Sequence, residues 1–534
     1  MLVNTVLENS AQKYPDKIAL VCNDERLCYK EINNKAAKFS SYLIKAGIKR
    51  HDRVAIFIDN SVESVIALFG VLKAGATFVM LSASMKPTKL NYILKNSGAS
   101  FLITNANKFR IVKNSLKNTD ELKHIIWCAS EGKPIGLGEA KDEKAESFWE
   151  SIFKENSKPN PKINSGPIDI DLSNIIYTSG STGDPKGVMS SHYNVLSATR
   201  SISQYLEIND KDIIMNVLPF SFDYGLYQIF MTFLCGATMI IEKSFAFPYR
   251  IIEKIATEKI TGFPIVPTMA ALLFKIDTLS KFDFSSLRFI SNTAAALPFT
   301  YIEKLQKLFP MAKVYSMYGL TECKRVSYLP PKDIDRKKDS VGIAMPNEEV
   351  FVVDEDGNEV GPDVIGELVI RGANVMQGYW KDPETTAKVF RPGRYKGETL
   401  LYSGDLFRKD AEGYLYFVSR KDDMIKTKGE RVSPKEIESV LHSMDGISEI
   451  SVFGIPDEIF GQSIVAAVVL EKGKKISGKD IKKYSTQNLE PFMIPKFIEF
   501  YKEFPKSTSG KIDKKTISAN YMKMFVTPNS EAIK

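Results

Sequence analysis

The chain has 534 residues, of which 44% are hydrophobic, and its 72 basic and 64 acidic residues give a net charge of +8. This length exceeds the roughly 250 to 300 residues at which a single core stops growing, so we expect more than one domain. The charges are spread along the chain without a polybasic block, which argues against a nucleic-acid-binding protein. The five cysteines form no C-x-x-C pair, which argues against a disulfide framework or a zinc site.

The N-terminal residues lack the pattern of a signal peptide, because Glu8 and Lys13 come before any long apolar region. The longest apolar stretch, residues 65–81, is interrupted by Lys73 and Gly75. It predicts a buried helix running into a strand rather than a membrane span. We therefore expect a cytoplasmic protein without membrane insertion.

Helical and strand patterns alternate along the first part of the chain. An amphipathic pattern predicts a helix over residues 29–46, and short apolar runs predict strands over 54–58, 77–80 and 101–104. Such alternation is typical of α/β proteins with parallel sheets covered by helices. From 128 to 167 the composition shifts to Glu, Lys, Gly, Ser and Pro, which predicts a mobile excursion with one short helix.

A loop rich in glycine and hydroxyl groups follows the apolar pair at 175–176 and has the sequence TSGSTGDPKG over residues 178–187. Its glycines allow backbone N–H groups to approach an anion, and its lysine supplies positive charge, so it suits a polyphosphate. The loop is not a Walker sequence, because its lysine is followed by glycine. The alternative is a solvated turn. The candidate phosphate-binding residues are Thr178, Ser179, Gly180, Ser181, Thr182, Gly183 and Lys186.

A second unit is predicted after the charged residues 419–423. An αβ pattern starts there, with a helix over 434–442 and strands over 450–453 and 464–470.

Five ordered motifs resemble those of the adenylate-forming superfamily, which includes acyl-CoA synthetases, luciferases and the adenylation domains of nonribosomal peptide synthesis. They are the loop at 178–187, YGLTE at 318–322, YSGD at 402–405, SRKDD and KTKG at 419–429, and PKSTSGKID at 505–513. The resemblance implies a large N-terminal α/β domain (1–420) and a small α+β C-terminal domain (421–534). The hinge is expected near 420–423, at Asp422.

The resemblance also implies ATP and Mg²⁺ as cofactors and a set of site residues. The implied catalytic residues are Lys186, Thr321, Glu322 and Lys511, with Glu322 coordinating Mg²⁺. Further residues implied to bind ATP or AMP are Tyr318, Gly319, Asp405 and Arg420, with Asp405 on the ribose hydroxyls. Lys428 and Gly429 would line the path of a pantetheine thiol, carried by a protein or by CoA. The alternatives are a turn aspartate at 405 and a solvated charge run around Lys511.

The sequence LPFSFDYG at 218–225 bears on the acid substrate. Its Phe-Asp pair resembles peptide-synthetase adenylation domains, where the matching aspartate pairs with the α-ammonium of an amino acid. Asp223 is therefore the expected specificity residue, and the alternative is a helix N-cap before a helix over 226–233. The sequence GKIDKK at 510–515 also favours amino acids, whereas IKTKG at 425–429 followed by PKEI resembles acyl-CoA ligases.

Other pocket candidates, matched by position, are Tyr224, Tyr227, Pro264, Asn292, Met317, Arg325 and Val326. The two tyrosines and the methionine predict a modest pocket suited to a small acid. Arg325 either pairs with a second carboxylate or lies on the surface beside Lys324.

The resulting functional hypothesis is adenylation of a small amino acid such as L-proline. Because no carrier domain is recognised in the chain, the phosphopantetheine thiol is expected on a separate carrier protein. The alternatives are an acyl-CoA synthetase for a fatty, aromatic or dicarboxylic acid, and a non-catalytic nucleotide-binding module. His192, which follows the phosphate loop, is expected to be structural.

Overall fold

A computed structural model describes residues 1–128, 144–154, 166–178, 184–293, 297–427, 430–457, 461–506 and 512–525. The helices are α1 (Thr5–Lys13), α2 (Tyr29–Lys45), α3 (Val62–Lys73), α4 (Pro87–Ser97), α5 (Phe109–Ser115), α6 (Trp149–Lys154), α7 (His192–Tyr205), α8 (Asp223–Cys235), α9 (Pro248–Thr257), α10 (Pro267–Leu273), α11 (Phe299–Leu308), α12 (Pro383–Val389), α13 (Pro434–His442), α14 (Gly478–Asn488) and α15 (Lys514–Phe525).

The strands are β1 (Ile18–Cys22), β2 (Glu25–Cys28), β3 (Arg53–Phe57), β4 (Thr77–Met80), β5 (Ala99–Asn105), β6 (His124–Cys128), β7 (Ala145–Phe148), β8 (Leu172–Thr178), β9 (Lys186–Ser191), β10 (Ile213–Asn216), β11 (Thr238–Ile241), β12 (Gly262–Ile265), β13 (Phe289–Asn292), β14 (Lys313–Tyr318), β15 (Ser327–Leu329), β16 (Ile343–Ala344), β17 (Glu348–Val353), β18 (Gly366–Gly372), β19 (Phe390–Pro392), β20 (Thr399–Lys409), β21 (Leu415–Arg420), β22 (Ile425–Thr427), β23 (Glu430–Val432), β24 (Ile447–Asp457), β25 (Gly461–Leu470) and β26 (Phe497–Tyr501).

Two large sheets organise the N-terminal part of the chain. One has the order β16-β15-β14-β13-β12-β10-β11-β1-β2 and is parallel from β14 to β1. The other has the order β7-β6-β5-β3-β4-β8-β9 and is parallel except for the β8–β9 hairpin. Every residue of β4, β12 and β13 is buried, as in parallel sheets covered on both faces. The α/β prediction is confirmed.

Two smaller sheets follow. One has the order β17-β18-β20-β19, with β21 beside β20. The other has the order β23-β22-β25-β24, with β26 parallel to β25. Ile437 of α13 and Ile481 of α14 pack on one face of the latter sheet, and Ile517 of α15 packs on its other face. This small C-terminal α+β unit is as predicted.

Local predictions match where apolar periodicity is strong. The helices predicted at 29–46 and 434–442 are α2 and α13, and the strand predicted at 77–80 is β4. Within the excursion predicted at 128–167, the described residues form β7 and the short helix α6. Residues 129–143 and 155–165 lie outside the described ranges.

The chain divides into two compact units, Met1–Val350 with Ile370–Tyr402, and Phe351–Val369 with Ser403–Lys534. We refer to them as the N-terminal and C-terminal units. The domain boundary predicted at 420 and its hinge remain predictions. Among the described helices, none is long and apolar enough to cross a bilayer.

Candidate functional site

The β8–β9 hairpin holds the two ends of the predicted phosphate loop. Thr178, the last residue of β8, pairs with Lys186, the first residue of β9. The loop therefore closes between these two strand ends in the N-terminal unit. Its central candidates lie outside the described residues, and they are Ser179, Gly180, Ser181, Thr182 and Gly183.

Two residues at the start of α12 contact the Lys186 ammonium group. Its Nζ donates a hydrogen bond to Thr385 Oγ1 at 3.2 Å and lies 3.8 Å from Asp382 Oδ2. Asp382 is the N-cap of α12 and accepts from the Thr385 N–H. Hydrogen bonds from Thr385 lower the pKa of Asp382, and Lys186 lowers it further, so this carboxylate stays ionised.

Residues 374–385, which we call the clamp segment, also hold Glu322. The Tyr379 hydroxyl donates to Glu322 Oε1 at 2.7 Å, and the Met376 N–H donates to the Glu322 carbonyl at 2.9 Å. Residue 379 also forms a bridge with Val188 of β9. The clamp segment thus brings together the phosphate-loop lysine and the predicted magnesium ligand, which lie 136 positions apart in the sequence.

A buried network fixes the turn that follows Glu322. Asn374 donates to the carbonyl groups of Cys323, at 2.9 Å, and Arg325, at 3.3 Å, and also to Glu348 Oε2. Burial raises the pKa of Glu348 well above its usual value, which favours its neutral form. A Cβ on Gly319 would lie 2.4 Å from the Lys324 carbonyl oxygen, so the close approach of these two backbones requires glycine.

Asp223 is the first residue of α8 and has an internal cation as its partner. Its Oδ2 lies 3.5 Å from Lys324 Nζ, and the exposed fractions of the two side chains are 10% and 1%. Lys324 Nζ also lies 4.4 Å from the centre of the Tyr227 ring. Burial lowers the pKa of Lys324, and Asp223 opposes this effect by favouring the ammonium form.

Two interpretations of this region are wrong. The N-cap position of α8 is occupied by Phe222, so Asp223 is not the N-cap residue. Arg325 is not on the surface, because it is only 1% exposed and its guanidinium carbon lies 5.2 Å from the centre of the Tyr224 ring. The backbone turn held by Asn374 and Gly319 directs residues 323–326 into the interior.

The other pocket candidates cluster at the carboxyl ends of parallel strands. Pro264 lies next to the last residue of β12, Asn292 ends β13, and Met317 is the penultimate residue of β14. Ligands of α/β proteins bind at this edge of a sheet. Tyr224 donates its hydroxyl to the Ser291 carbonyl at 2.7 Å. Val326, which follows Arg325, is fully buried.

Asp405 and Arg420 lie together in the C-terminal unit. They pair across the β20–β21 hairpin, and Arg420 Nε lies 3.1 Å from Asp405 Oδ1. Asp405 is 2% exposed and lies within β20, so the alternative of a turn aspartate is wrong. The hairpin register, rather than a turn, brings this acid and base together.

The remaining candidates have simpler outcomes. Tyr318 ends β14, Gly319 and Thr321 are half-buried in the segment that follows it, and the backbone of Asp422 lies in a 3₁₀ turn at Lys421–Asp423. Lys428, Gly429 and Lys511 lie outside the described residues. Among the described residues, no group of three or more His, Cys, Asp or Glu side chains could hold a metal ion by itself.

Two family patterns match most of the sequence. The pattern described as AMP-binding enzyme matches residues 7–380, and that of the AMP-binding enzyme C-terminal domain matches residues 436–511. The chain belongs to the AMP-binding enzyme family. The resemblance found in the sequence motifs is thereby confirmed.

Relatives of this AMP-binding enzyme extend over almost the whole chain. A long-chain-fatty-acid–CoA ligase of Bacillus subtilis is 30% identical, over 96% of this chain and 93% of the relative. Zwittermicin A synthase ZmaJ of Bacillus cereus is also 30% identical, over 97% and 94%. The crystal structure of ATP-bound MatB from Rhodopseudomonas palustris has a TM-score of 0.87 and 26% identity, over 98% of this chain and 100% of that one. The chain is an AMP-forming acid–thiol ligase, which excludes the non-catalytic alternative.

Several side chains of this AMP-binding enzyme site were not predicted. Tyr379, Asp382 and Thr385 contact the candidate catalytic groups, yet only the Asp-Pro pair that starts α12 has a recognisable local pattern. Lys324 stands beside a predicted candidate, and nothing in its local sequence indicates burial. Asn374 and Glu348 were missed for the same reason, since their contacts are long-range.

Proposed function

We propose that this enzyme activates a small polar carboxylic acid with ATP and transfers the acyl group to the thiol of CoA. The observation that carries the proposal is the Lys324–Asp223 ion pair. An amino acid would need the Asp223 carboxylate for its α-ammonium group, but Lys324 already neutralises that carboxylate. An acid without an amino group is therefore the better fit.

In the first step, a carboxylate oxygen of the acid attacks the α-phosphorus of ATP. A P–O bond forms between the acid and the α-phosphorus. The bond between the α-phosphorus and the oxygen that bridges it to the β-phosphate breaks, and pyrophosphate leaves with the electron pair of that bond. The enzyme contributes mainly positioning and charge stabilisation. Lys186, released from Thr385 and Asp382, is proposed to meet the β- and γ-phosphates, together with the loop at 178–183.

In the second step, the thiol sulfur attacks the acyl carbon of the adenylate. The C–S bond forms, the bond between the acyl carbon and the phosphate oxygen breaks, AMP leaves with its electron pair, and the thiol proton is lost to solvent or to AMP. Lys428 and Gly429 are proposed to line the thiol path, and Lys511 to bridge the carboxylate and phosphoryl oxygens in the first step. Asp405 and Arg420 are proposed to bind the ribose.

Glu322 fits the requirements of a magnesium ligand. Its carboxylate is half-buried and, within the part of the chain that the structure describes, accepts one hydrogen bond, from Tyr379. Mg²⁺ usually binds one or two carboxylates together with substrate phosphates and water, so a single glutamate near the phosphate loop is sufficient. Mg²⁺ would neutralise charge on the phosphates during the displacement.

A second candidate is loading of a small amino acid, such as L-proline, onto a separate carrier protein. It is favoured by Asp223 itself, which lies at the start of α8 beside Tyr224 and Tyr227. This function would require the substrate ammonium to displace Lys324. The full-length similarity to zwittermicin A synthase ZmaJ also supports it.

The proposal is tested by ATP–pyrophosphate exchange with amino acids and with fatty, aromatic and dicarboxylic acids, followed by thioester formation with CoA. We expect exchange with acids that lack an amino group, and a loss of at least about 100-fold in Glu322→Gln, because catalysis here depends on charge stabilisation. Glu303→Gln, on the exposed face of α11, is the matched control.

Two outcomes contradict the proposal. Exchange restricted to amino acids and abolished by Asp223→Ala would establish the second candidate. If the enzyme binds ATP but no acid among those tested supports ATP–pyrophosphate exchange, activation of these acids is refuted.

A further inference from the structure

Two consecutive cations, Lys324 and Arg325, are buried where the acid substrate is predicted to bind. We call them the cation pair, and the exposed fractions of the two residues are 3% and 1%. Among the described residues, Lys324 has one carboxylate partner, Asp223. Within the described part of the chain, Arg325 has no carboxylate within ion-pair distance. With Lys324 in its ammonium form, which Asp223 favours, the cation pair and Asp223 together carry an excess of one positive charge.

The surroundings of Arg325 compensate its charge only in part. Its guanidinium carbon lies 5.2 Å from the centre of the Tyr224 ring, and while burial raises the pKa of the neighbouring Tyr205, the Arg325 charge opposes this effect. Its Nε has no hydrogen-bond partner among the described residues, and neither does the nearby Tyr227 hydroxyl. Buried charges and polar groups are costly unless they are paired, so a group with several acceptor oxygens would stabilise this region.

The backbone presents the cation pair in a specific and unfavourable conformation. Lys324 has φ of 73°, in the left-handed region that non-glycine residues rarely adopt. The conformation is maintained by Asn374, which bonds to the carbonyl groups on either side of Lys324, and by the close approach of Gly319. Strained residues that the surroundings hold in place are concentrated at functional sites.

The cation pair also lies close to the reacting groups. It follows Glu322 by two and three positions, and it contacts Tyr224 and Tyr227 in the first turns of α8. Tyr205, which is close enough to Arg325 for that charge to affect its pKa, donates to the Met317 sulfur at 3.0 Å, near the end of β14. An acid bound at this sheet edge could thus place one end at the phosphates and the other at the cation pair.

We infer that the cation pair binds a second carboxylate of the substrate, so that the enzyme activates dicarboxylic acids. This inference rests on the proposed function. One carboxylate of the diacid attacks ATP, whereas the other stays ionised and accepts hydrogen bonds from Arg325, Lys324 and the Tyr227 hydroxyl. Arginine is well suited to this role, because its planar guanidinium group binds carboxylates in a bidentate manner.

The inference is tested by comparing each diacid with its own monoamide, which has nearly the same shape but lacks the second charge. ATP–pyrophosphate exchange is measured for diacids of three to six carbons and for their monoamides. We expect kcat/KM to be about 10- to 100-fold higher for the best diacid, since pairing with a buried charge has roughly this effect. Equal rates for diacid and monoamide, or a preference for monocarboxylic or amino acids, would overturn the inference while leaving acid activation intact.

Variants of the cation pair identify the residues responsible for the preference for the diacid over its monoamide. Arg325→Met and Lys324→Met are expected to reduce the preference for the diacid to less than about fivefold, because each removes a charge that the monoamide does not need. Arg325→Lys, which keeps the charge, is expected to retain part of the preference. Lys259→Met, with a side chain that is 59% exposed, is the control. Retention of the full preference in both methionine variants would contradict the assignment.

A binding measurement separates failure of the inference from failure of the proposed function. Calorimetric titration of diacid and monoamide into the ATP-bound enzyme is carried out for the wild type and for Arg325→Lys, with thermal unfolding to verify folding. If no acid supports exchange, the proposed function fails, yet selective diacid binding that weakens in Arg325→Lys would still support the site. Absence of diacid binding would overturn it.

Discussion

Charge is organised differently at the two ends of the candidate site in the N-terminal unit. At the acid end, Asp223 and the cation pair are buried and lie against aromatic rings. At the phosphate end, Lys186 and Glu322 are half-buried, and side chains of the clamp segment contact them. A buried ion pair is costly to break, whereas half-exposed groups exchange partners readily. The acid end is thus suited to selecting a substrate, and the phosphate end to binding and releasing nucleotide.

The largest effect is expected from breaking the buried pair at the acid end. Asp223→Asn leaves the cation pair without a carboxylate, and we expect the free energy of unfolding to fall by about 4 kcal/mol. The double variant Asp223→Asn with Lys324→Met should recover at least half of this loss, because it also removes one buried charge. Urea unfolding of both variants provides the measurement.

The matched control for this prediction is Asp283→Asn, which breaks an ion pair between exposed side chains, Lys259 and Asp283. It should leave stability unchanged. If the single and double variants lose similar amounts of unfolding free energy, Asp223 and Lys324 are not energetically coupled. The proposed difference between the acid end and the phosphate end would then be wrong.

A second test concerns a buried group that is kept neutral rather than charged. His192 is 1% exposed and accepts the Val3 N–H at Nδ1, 3.0 Å away, as its structural interpretation predicted. Burial lowers its pKa from 6.5 to about 4. Between these values the unfolded chain binds more protons than the folded chain, so stability falls as the pH falls from 6.5 towards 4.

From this shift we expect the free energy of unfolding to fall by about 3 kcal/mol as the pH falls from 6.5 to about 4. The measurement is the free energy of unfolding at a series of pH values, for the wild type and for His192→Gln. The glutamine retains an acceptor for the Val3 N–H but does not titrate, so its profile should lack this component. Identical profiles would contradict the assignment to His192. His51→Gln, at an exposed side chain, is the control.

The sequence was most informative where structure depends on local pattern. The spacing of apolar residues and a flanking proline or glycine predict helix α13 and strand β4. The motifs located Lys186, Glu322 and Asp405 because each lies in a contiguous, recognisable sequence. The roles of these residues are not tested by the fold and remain proposals.

What the sequence did not predict depends on contacts between distant residues. Thr385 lies 199 positions from Lys186, and Tyr379 lies 57 positions from Glu322. The burial of Lys324 results from a turn held by Asn374, which follows it by fifty positions. Local periodicity contains no information about such pairings, and a lysine next to an arginine is more typical of a solvated surface.

A third test addresses the hydrogen bond that holds Glu322. Tyr379→Phe removes the hydroxyl that donates to Oε1 but keeps the ring, which packs against Phe390. We expect kcat/KM for MgATP to fall about tenfold, because a hydrogen bond to a charged group contributes roughly 1.5 kcal/mol or more. Stability should change little.

The magnesium dependence of exchange distinguishes positioning from a purely structural role. If Tyr379 orients the carboxylate for Mg²⁺, the variant should require a higher Mg²⁺ concentration for half-maximal rate. An unchanged requirement would contradict the positioning role. Tyr395→Phe is the control, because Tyr395 is 62% exposed.

The smallest effect is expected from Thr385→Val, which removes the acceptor that Lys186 uses in the structure but keeps the N–H bond to Asp382. If phosphate must displace Thr385 from Lys186, losing this long hydrogen bond from the ammonium group favours ATP, and the Kd for ATP should decrease by about two- to threefold. If Thr385 instead orients Lys186 towards the phosphates, the Kd should increase. Calorimetric titration of ATP decides between them, with Thr385→Ser as the control that retains the hydroxyl. An increase in the Kd for ATP would mean that the side chains at the phosphate end are held as rigidly as those at the acid end. The inference that Lys186 exchanges its partners readily because it is half-exposed would then be wrong.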